Sequence, residues 1–271
     1  MGKVVGKSEI RNDMMTGLSY EPSQNVILSE RVERASRRIC VARREFLIPN
    51  SKCSPCYDAC MLSTVIFASI MAGAVISLLR AIRVKDRTEE VFSKTAASVA
   101  FVILGAVRWS SGDIVGGWIV AGLVLCAVGD VLLLGKRTFD VGLLAFLLGH
   151  VLYVAGFHAA LPVGRWSWLV LAPLLVVSGG AARWLWPHLG RRRISVLAYV
   201  IVISVMVWGG VSVYARGILP WTAAAGAILF YLSDLAVARQ QFVHESFVNR
   251  AIGLPIYYFG QLLLALTIGA G

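Results

Sequence analysis

Charge is scarce in this sequence. Of 271 residues only 15% are Asp, Glu, Lys or Arg, 58% are hydrophobic, and the mean hydropathy is +0.73. A soluble domain carries about 25% charged residues, so the deficit excludes an ordinary water-soluble globule. Several chemistries lack their signatures too. There is no G-x-S-x-G elbow, no H-E-x-x-H helix and no Walker-type phosphate loop, which argues against a serine hydrolase, a zinc protease and a P-loop enzyme. Residues 1–20 contain no apolar run of the kind a cleavable secretory signal requires. Cysteine is sparse, and four of the five lie in the first 60 residues: Cys40, Cys53, Cys56 and Cys60. Cys53-x2-Cys56-x3-Cys60 offers three thiolates and no clear fourth ligand, a weak zinc signal, so no metal and no cofactor is expected. Cys126, inside an apolar run, reads as a small packing residue.

What remains is organised around long apolar runs. Residues 1–60 are polar, with ten Lys/Arg and seven Asp/Glu, and from Met61 onward apolar runs alternate with short polar breaks. About 20 apolar residues let a helix cross the hydrocarbon core. The pattern predicts an all-α, polytopic transmembrane helix bundle over 61–271. Its eight spans are 61–79, 94–109, 114–135, 139–160, 166–186, 194–214, 219–238 and 248–269. Lys94 is expected to snorkel to the interface at the start of the second span. Trp109, Trp166, Trp168, Trp184, Trp186 and Trp221 fall near span ends, as interfacial anchors do. The net charge of +11 does not point to nucleic acid, because the basic residues after Met61 sit mostly in loops between spans. Lys85, Arg87, Lys136, Arg137, Arg191, Arg192, Arg193, Arg239 and Arg250 mark the loops 1–2, 3–4, 5–6 and 7–8 as cytoplasmic. A multi-pass cell-membrane protein, of the bacterial inner-membrane type, is the expectation. Both ends of the bundle then face outward, which leaves the basic tail 1–60 without a route across. Two readings follow: the tail is absent from the native product, with Met61 as its start, or it is a disordered cytoplasmic tail and one span is misplaced.

Asp130 and Asp234 are the acidic residues well inside apolar runs. A carboxylate there costs about 2.5–3.5 kcal/mol on insertion scales and ordinarily faces the bundle interior. A purely structural role, pairing with Lys136 or Arg239, is the bland alternative. Phe146, His150, Tyr153 and Phe157 share one helical face, with His150 near mid-span. A histidine there is either a packed core residue or a proton carrier. Read on their own, Tyr257, Tyr258 and Gln261 are interhelical hydrogen-bonding groups, and Ser233 is a residue that bonds back to its own helix. Two stretches echo one another, AGLVLCAVGDVLLL and AGAILFYLSDLAVA. Gly122 precedes Asp130 as Gly226 precedes Asp234, and Tyr153 follows Asp130 as Tyr257 follows Asp234, at equal spacings. The echo is either chance similarity among apolar helices or a parallel four-plus-four repeat about an axis along the membrane normal. In either case both carboxylates belong at similar depth, and they would share a cavity if spans 3 and 7 were neighbours.

GDVLLLGKRTFDVGLLAFLLGHVLYVAGF and FYLSDLAVARQQF with YYFGQLLLAL resemble the two signature blocks of the YhhN family of membrane proteins, over roughly residues 62–269. The family includes lysoplasmalogenases. The resemblance implies that Asp130 and Asp234 are catalytic and that His150, Tyr153, Ser233, Tyr257, Tyr258 and Gln261 line the site. It implies cleavage of the vinyl ether of a lysoplasmalogen, giving a fatty aldehyde and a glycerophospho-headgroup compound. The substrate is then a lysophospholipid or other ether lipid, drawn from the membrane. Protonation of such an ether gives an oxocarbenium ion. One carboxylic acid and one carboxylate suit that chemistry, as in glycoside hydrolysis. The competing class is a proton-coupled transporter or lipid-binding protein, since paired intramembrane acids also serve proton relays.

Overall fold

The computed structural model describes residues 54–269, with eight α-helices among them: α1 Ser54–Val84, α2 Arg87–Arg108, α3 Ile114–Leu132, α4 Phe139–Ala160, α5 Trp168–Leu185, α6 Arg193–Ala215, α7 Trp221–Ala238 and α8 Phe247–Thr267. Cys40 and Cys53 lie outside the described residues. Seven of the helices are long and apolar enough to cross a membrane. α8 has comparable length but carries Asn249, Arg250 and Gln261. It packs against α2, α3 and α7, so protein rather than lipid surrounds much of its surface and the requirement for an apolar sequence is relaxed. The outward-facing apolar residues tell the same story, with Leu169 and Ile194 88% and 84% exposed. Side chains of that kind belong against hydrocarbon. The chain is a multi-pass membrane protein.

The main departure from the sequence-based spans lies at the first turn. α1 runs on to Val84, and only Lys85 and Asp86 separate it from α2. Lys85 takes a positive φ of 60°, and the Asp86 carboxylate caps α2 by accepting from the N–H groups of Thr88 and Glu89, each at 3.0 Å. The polar first turn of α2 thus belongs to the helix, and Lys94 lies well inside it. Trp166 also departs from expectation. It is buried rather than interfacial: its indole donates to Leu161 O at 2.7 Å. Its ring fills the space over Gly209, where a Cβ would come within 2.6 Å.

Two helix pairs pack most extensively, α3 on α4 and α7 on α8, and α6 joins the halves by touching both α4 and α7. These are the echoed segments. In the first, an added Cβ at Gly122 would meet the Tyr153 ring at 2.6 Å. In the second, one at Gly226 would meet Leu264 at 2.8 Å and Gly260 O at 3.0 Å. The shared glycine thus lies at a close helix contact in both copies, as small residues permit in membranes. The basic loops lie on one face of the bundle. Arg87 bonds Leu134 O at the end of α3, Arg250 pairs with Glu90, and Arg192 lies 3.1 Å from Asp140.

Candidate functional site

Asp130 sits two residues before the end of α3 and is only 2% exposed. A carboxylate so enclosed must find donors from the protein, and it finds three. Ser98 Oγ donates to Oδ2 at 2.7 Å, Tyr257 OH donates to the same oxygen at 2.8 Å, and Lys94 Nζ lies 3.2 Å from Oδ1. Lys94 and Ser98 stand four residues apart on α2 and so share a face. The lysine turns inward, its side chain 11% exposed, instead of snorkelling: a buried counter-charge outweighs the reach to the interface. Tyr258 completes the group by donating to Lys94 O at 3.2 Å, with its hydroxyl 3.4 Å from Ser98 Oγ.

Asp234 has different company. It lies on α7 one turn before the helix end, and its Oδ2 is 3.3 Å from His150 Nε2. His150 is fully buried on α4, and its Nδ1 is 2.6 Å from Phe146 O. A carbonyl only accepts, so Nδ1 carries a proton, and a neutral ring would present a bare Nε2 to the carboxylate. The two atoms are off the line of a hydrogen bond, and neither has another partner among the described residues. The His150 ring packs on Phe230 at 4.4 Å and edge-on to Tyr199 at 5.3 Å.

Beside Asp234 opens a cavity of about 610 Å³ between α4, α6 and α7. Its walls are largely apolar, with Leu143, Leu147, Ile203 and Leu235, and its polar lining includes Asp234, Tyr199 and Tyr231. Asp140 and Arg192, on the basic face of the bundle, line it as well. Asp130 does not line it. α3 and α7 are not principal neighbours, and of the two carboxylates Asp234 alone lines this cavity. Phe146, Phe230 and Tyr257 pack as a three-ring cluster at 5.3–6.3 Å, and their contacts lead from Asp130 through Tyr257 and Phe230 to His150.

The remaining residues singled out from the sequence divide between these surroundings. Tyr153 and Gln261 bond one another at 2.8 Å beside the buried Cys126, and Gln261 Nε2 has no partner among the described residues. Ser233 bonds back to Phe230 O at 2.7 Å. The sequence reading placed Lys94 at the interface and passed over Ser98, which with Lys94 holds Asp130, and Tyr199 on the cavity wall. A lysine followed by a serine at i+4 on an apolar helix was the available signal for Lys94 and Ser98. Tyr199 offered none, because only the packing of α6 on α4 brings it to the histidine. Among the described residues no group of three or more His, Cys, Asp or Glu side chains gathers as a metal site would require.

A polytopic helical membrane protein with ionisable side chains buried at the level of its spans is the class that this fold and site define. Residues 90–268 match the YhhN family, and the chain belongs to that family. Among curated relatives, it is 33% identical over 158 residues to "Lysoplasmalogenase TMEM86A" of Bos taurus, covering 55% of this chain and 64% of that one. It is 33% identical over 152 residues to "Lysoplasmalogenase" of Mycobacterium bovis, covering 52% and 55%. With "Lysoplasmalogenase TMEM86B" of Rattus norvegicus it shares 32% over 153 residues, covering 55% and 61%. The matches thus span between about half and two thirds of these relatives' length. No solved structure matches.

Proposed function

We propose that this protein hydrolyses the vinyl ether bond of lysoplasmalogen-type lipids inside the membrane, by acid–base chemistry that depends on its intramembrane aspartates. The observation that carries the reading is the apolar cavity with Asp234 on its wall and His150 directly behind. Its size, about 610 Å³, falls within the range of small-molecule sites, roughly 300–1,000 Å³. The names of the relatives support the same chemistry.

The steps follow from the bond being broken. A carboxylic acid transfers its proton to the β-carbon of the vinyl ether, whose π electrons form the new C–H bond. The α-carbon becomes an oxocarbenium ion, which a nearby carboxylate stabilises. Water adds to that carbon and gives up a proton to the base, which restores the acid. The hemiacetal then collapses: its hydroxyl loses a proton, the bond to the glycerol oxygen breaks, and that oxygen takes up a proton. The products are a fatty aldehyde and a glycerophospho compound. The leucine-rich wall suits the alkenyl chain, and Arg192 at the basic face suits the phosphate. By the positive-inside rule that face is cytoplasmic.

The test is aldehyde release from a lysoplasmalogen by purified protein in detergent. The parent is expected to release aldehyde, and Asp130→Asn and Asp234→Asn are expected to lose release while still folded. A folded parent that releases no aldehyde from any vinyl ether lipid rejects the reading.

A further inference from the structure

The two carboxylates are alike in the sequence and unlike in their surroundings. Every contact of Asp130 is internal: Lys94, Ser98 and Tyr257 occupy its oxygens, and it does not face the cavity. Asp234 lines the cavity, and its Oδ2 and His150 Nε2 lack hydrogen-bond partners. With Nδ1 committed to Phe146 O, a neutral His150 and an ionised Asp234 would set two acceptors against each other at 3.3 Å. One proton on the pair, on either atom, removes that repulsion. Both atoms are themselves enclosed, so the pair meets the cavity through the rest of the Asp234 side chain, which lines it, whereas Asp130 does not.

We propose that His150 and Asp234 together form the proton-transfer pair of the site, and that Lys94 is a positioning residue that neutralises Asp130 and holds it in place. The inference rests on the vinyl ether hydrolase reading and assigns its parts. The proton held between His150 and Asp234 goes to the β-carbon, Asp234 faces the cation, and the proton of the attacking water returns to the same pair. Asp130 acts at a distance. Its hydrogen bond sets Tyr257, whose ring packs on Phe230, and Phe230 packs on His150. Removing one member of the Lys94–Asp130 pair leaves a buried charge without a partner, which is more damaging than replacing both by neutral groups.

That asymmetry supplies the experiment, a double-mutant cycle read in turnover, KM and binding. Full-length protein in detergent is assayed for aldehyde release from a lysoplasmalogen, and for binding of a saturated alkyl-ether lysophospholipid that protonation does not cleave. Lys94→Met and Asp130→Asn are each expected to lose kcat at least about ten-fold. The double variant Lys94→Met/Asp130→Asn is expected to recover at least about ten-fold over Asp130→Asn, a recovery no catalytic acid would show. His150→Gln and Asp234→Asn are expected to lose kcat about 100-fold or more with binding kept, the scale of acid–base catalysis. A double variant that is unfolded, or folded and as inactive as Asp130→Asn, overturns the inference, as does a His150→Gln variant that keeps its kcat. A parent inactive on vinyl ether lipids overturns the hydrolase reading, and this inference with it. A parent that is active while the double variant is dead overturns only the inference.

Discussion

His150 on α4 faces Asp234 on α7 at 3.3 Å, while Tyr257 on α8 donates to Asp130 on α3 at 2.8 Å. Each echoed aspartate is thus served by a residue from the other half of the bundle. The halves are not two independent sites. Each completes the other, and the shared rings of Phe146, Phe230 and Tyr257 lie where they meet.

Because Asp234 is the intramembrane aspartate on the cavity wall, Asp234→Asn should keep the shape of the site and lose its chemistry. Aldehyde release should fall about 10²- to 10⁴-fold, while affinity for a saturated ether analogue stays within a few-fold of the parent. Loss of both together would show instead that the side chain mainly holds the cavity open.

Tyr257→Phe deletes one hydroxyl and keeps the ring among Phe101, Phe146 and Phe230. Asp130 then loses one of three donors. Stability in detergent should drop by about 1–2 kcal/mol, within the range for hydrogen bonds to charged groups and between membrane helices. A melting temperature equal to the parent's would show that the bond contributes nothing net.

At the helix crossing of α7 and α8 there is no room for a larger residue at position 226, where a Cβ would meet Leu264 and Gly260 O. Gly226→Val should destabilise by about 1–3 kcal/mol, the usual cost of overpacking. Gly73, with open space at its Cβ position, is the control, and Gly73→Ala should leave the melting temperature at or above the parent value. Equal melting temperatures for both variants would contradict the packing argument.

Arg192 lies at the edge of the cavity, 3.1 Å from the exposed Asp140. If it holds the lipid phosphate, Arg192→Ala should raise KM for a phosphate-bearing lysoplasmalogen by about ten-fold, the equivalent of roughly 1.4 kcal/mol. It should leave KM for an alkenylglycerol without phosphate unchanged. An equal rise for both substrates would assign Arg192 to the shape of the mouth rather than to the headgroup.

The sequence by itself determined the helices and their environment. Apolar runs of span length leave the backbone no choice in hydrocarbon but to bond within the helix, so the helix ends fall close to the predicted ones wherever polarity changes sharply. It failed at the α1–α2 turn, where the polar stretch around Glu89 and Glu90 continues the helix because Asp86 caps it and Arg250 pairs with Glu90. It also marked Asp130, Asp234 and His150, because a polar group in an apolar run is costly and therefore conspicuous. Which of these meet was decided only by the tertiary structure. His150 follows Asp130 along the chain but pairs with Asp234, and Lys94 turns from the interface to Asp130. Only one of the two aspartates reaches the cavity. A helical period fixes the face a side chain occupies but not the helix opposite, and that depends on how α6 and α8 pack between the halves.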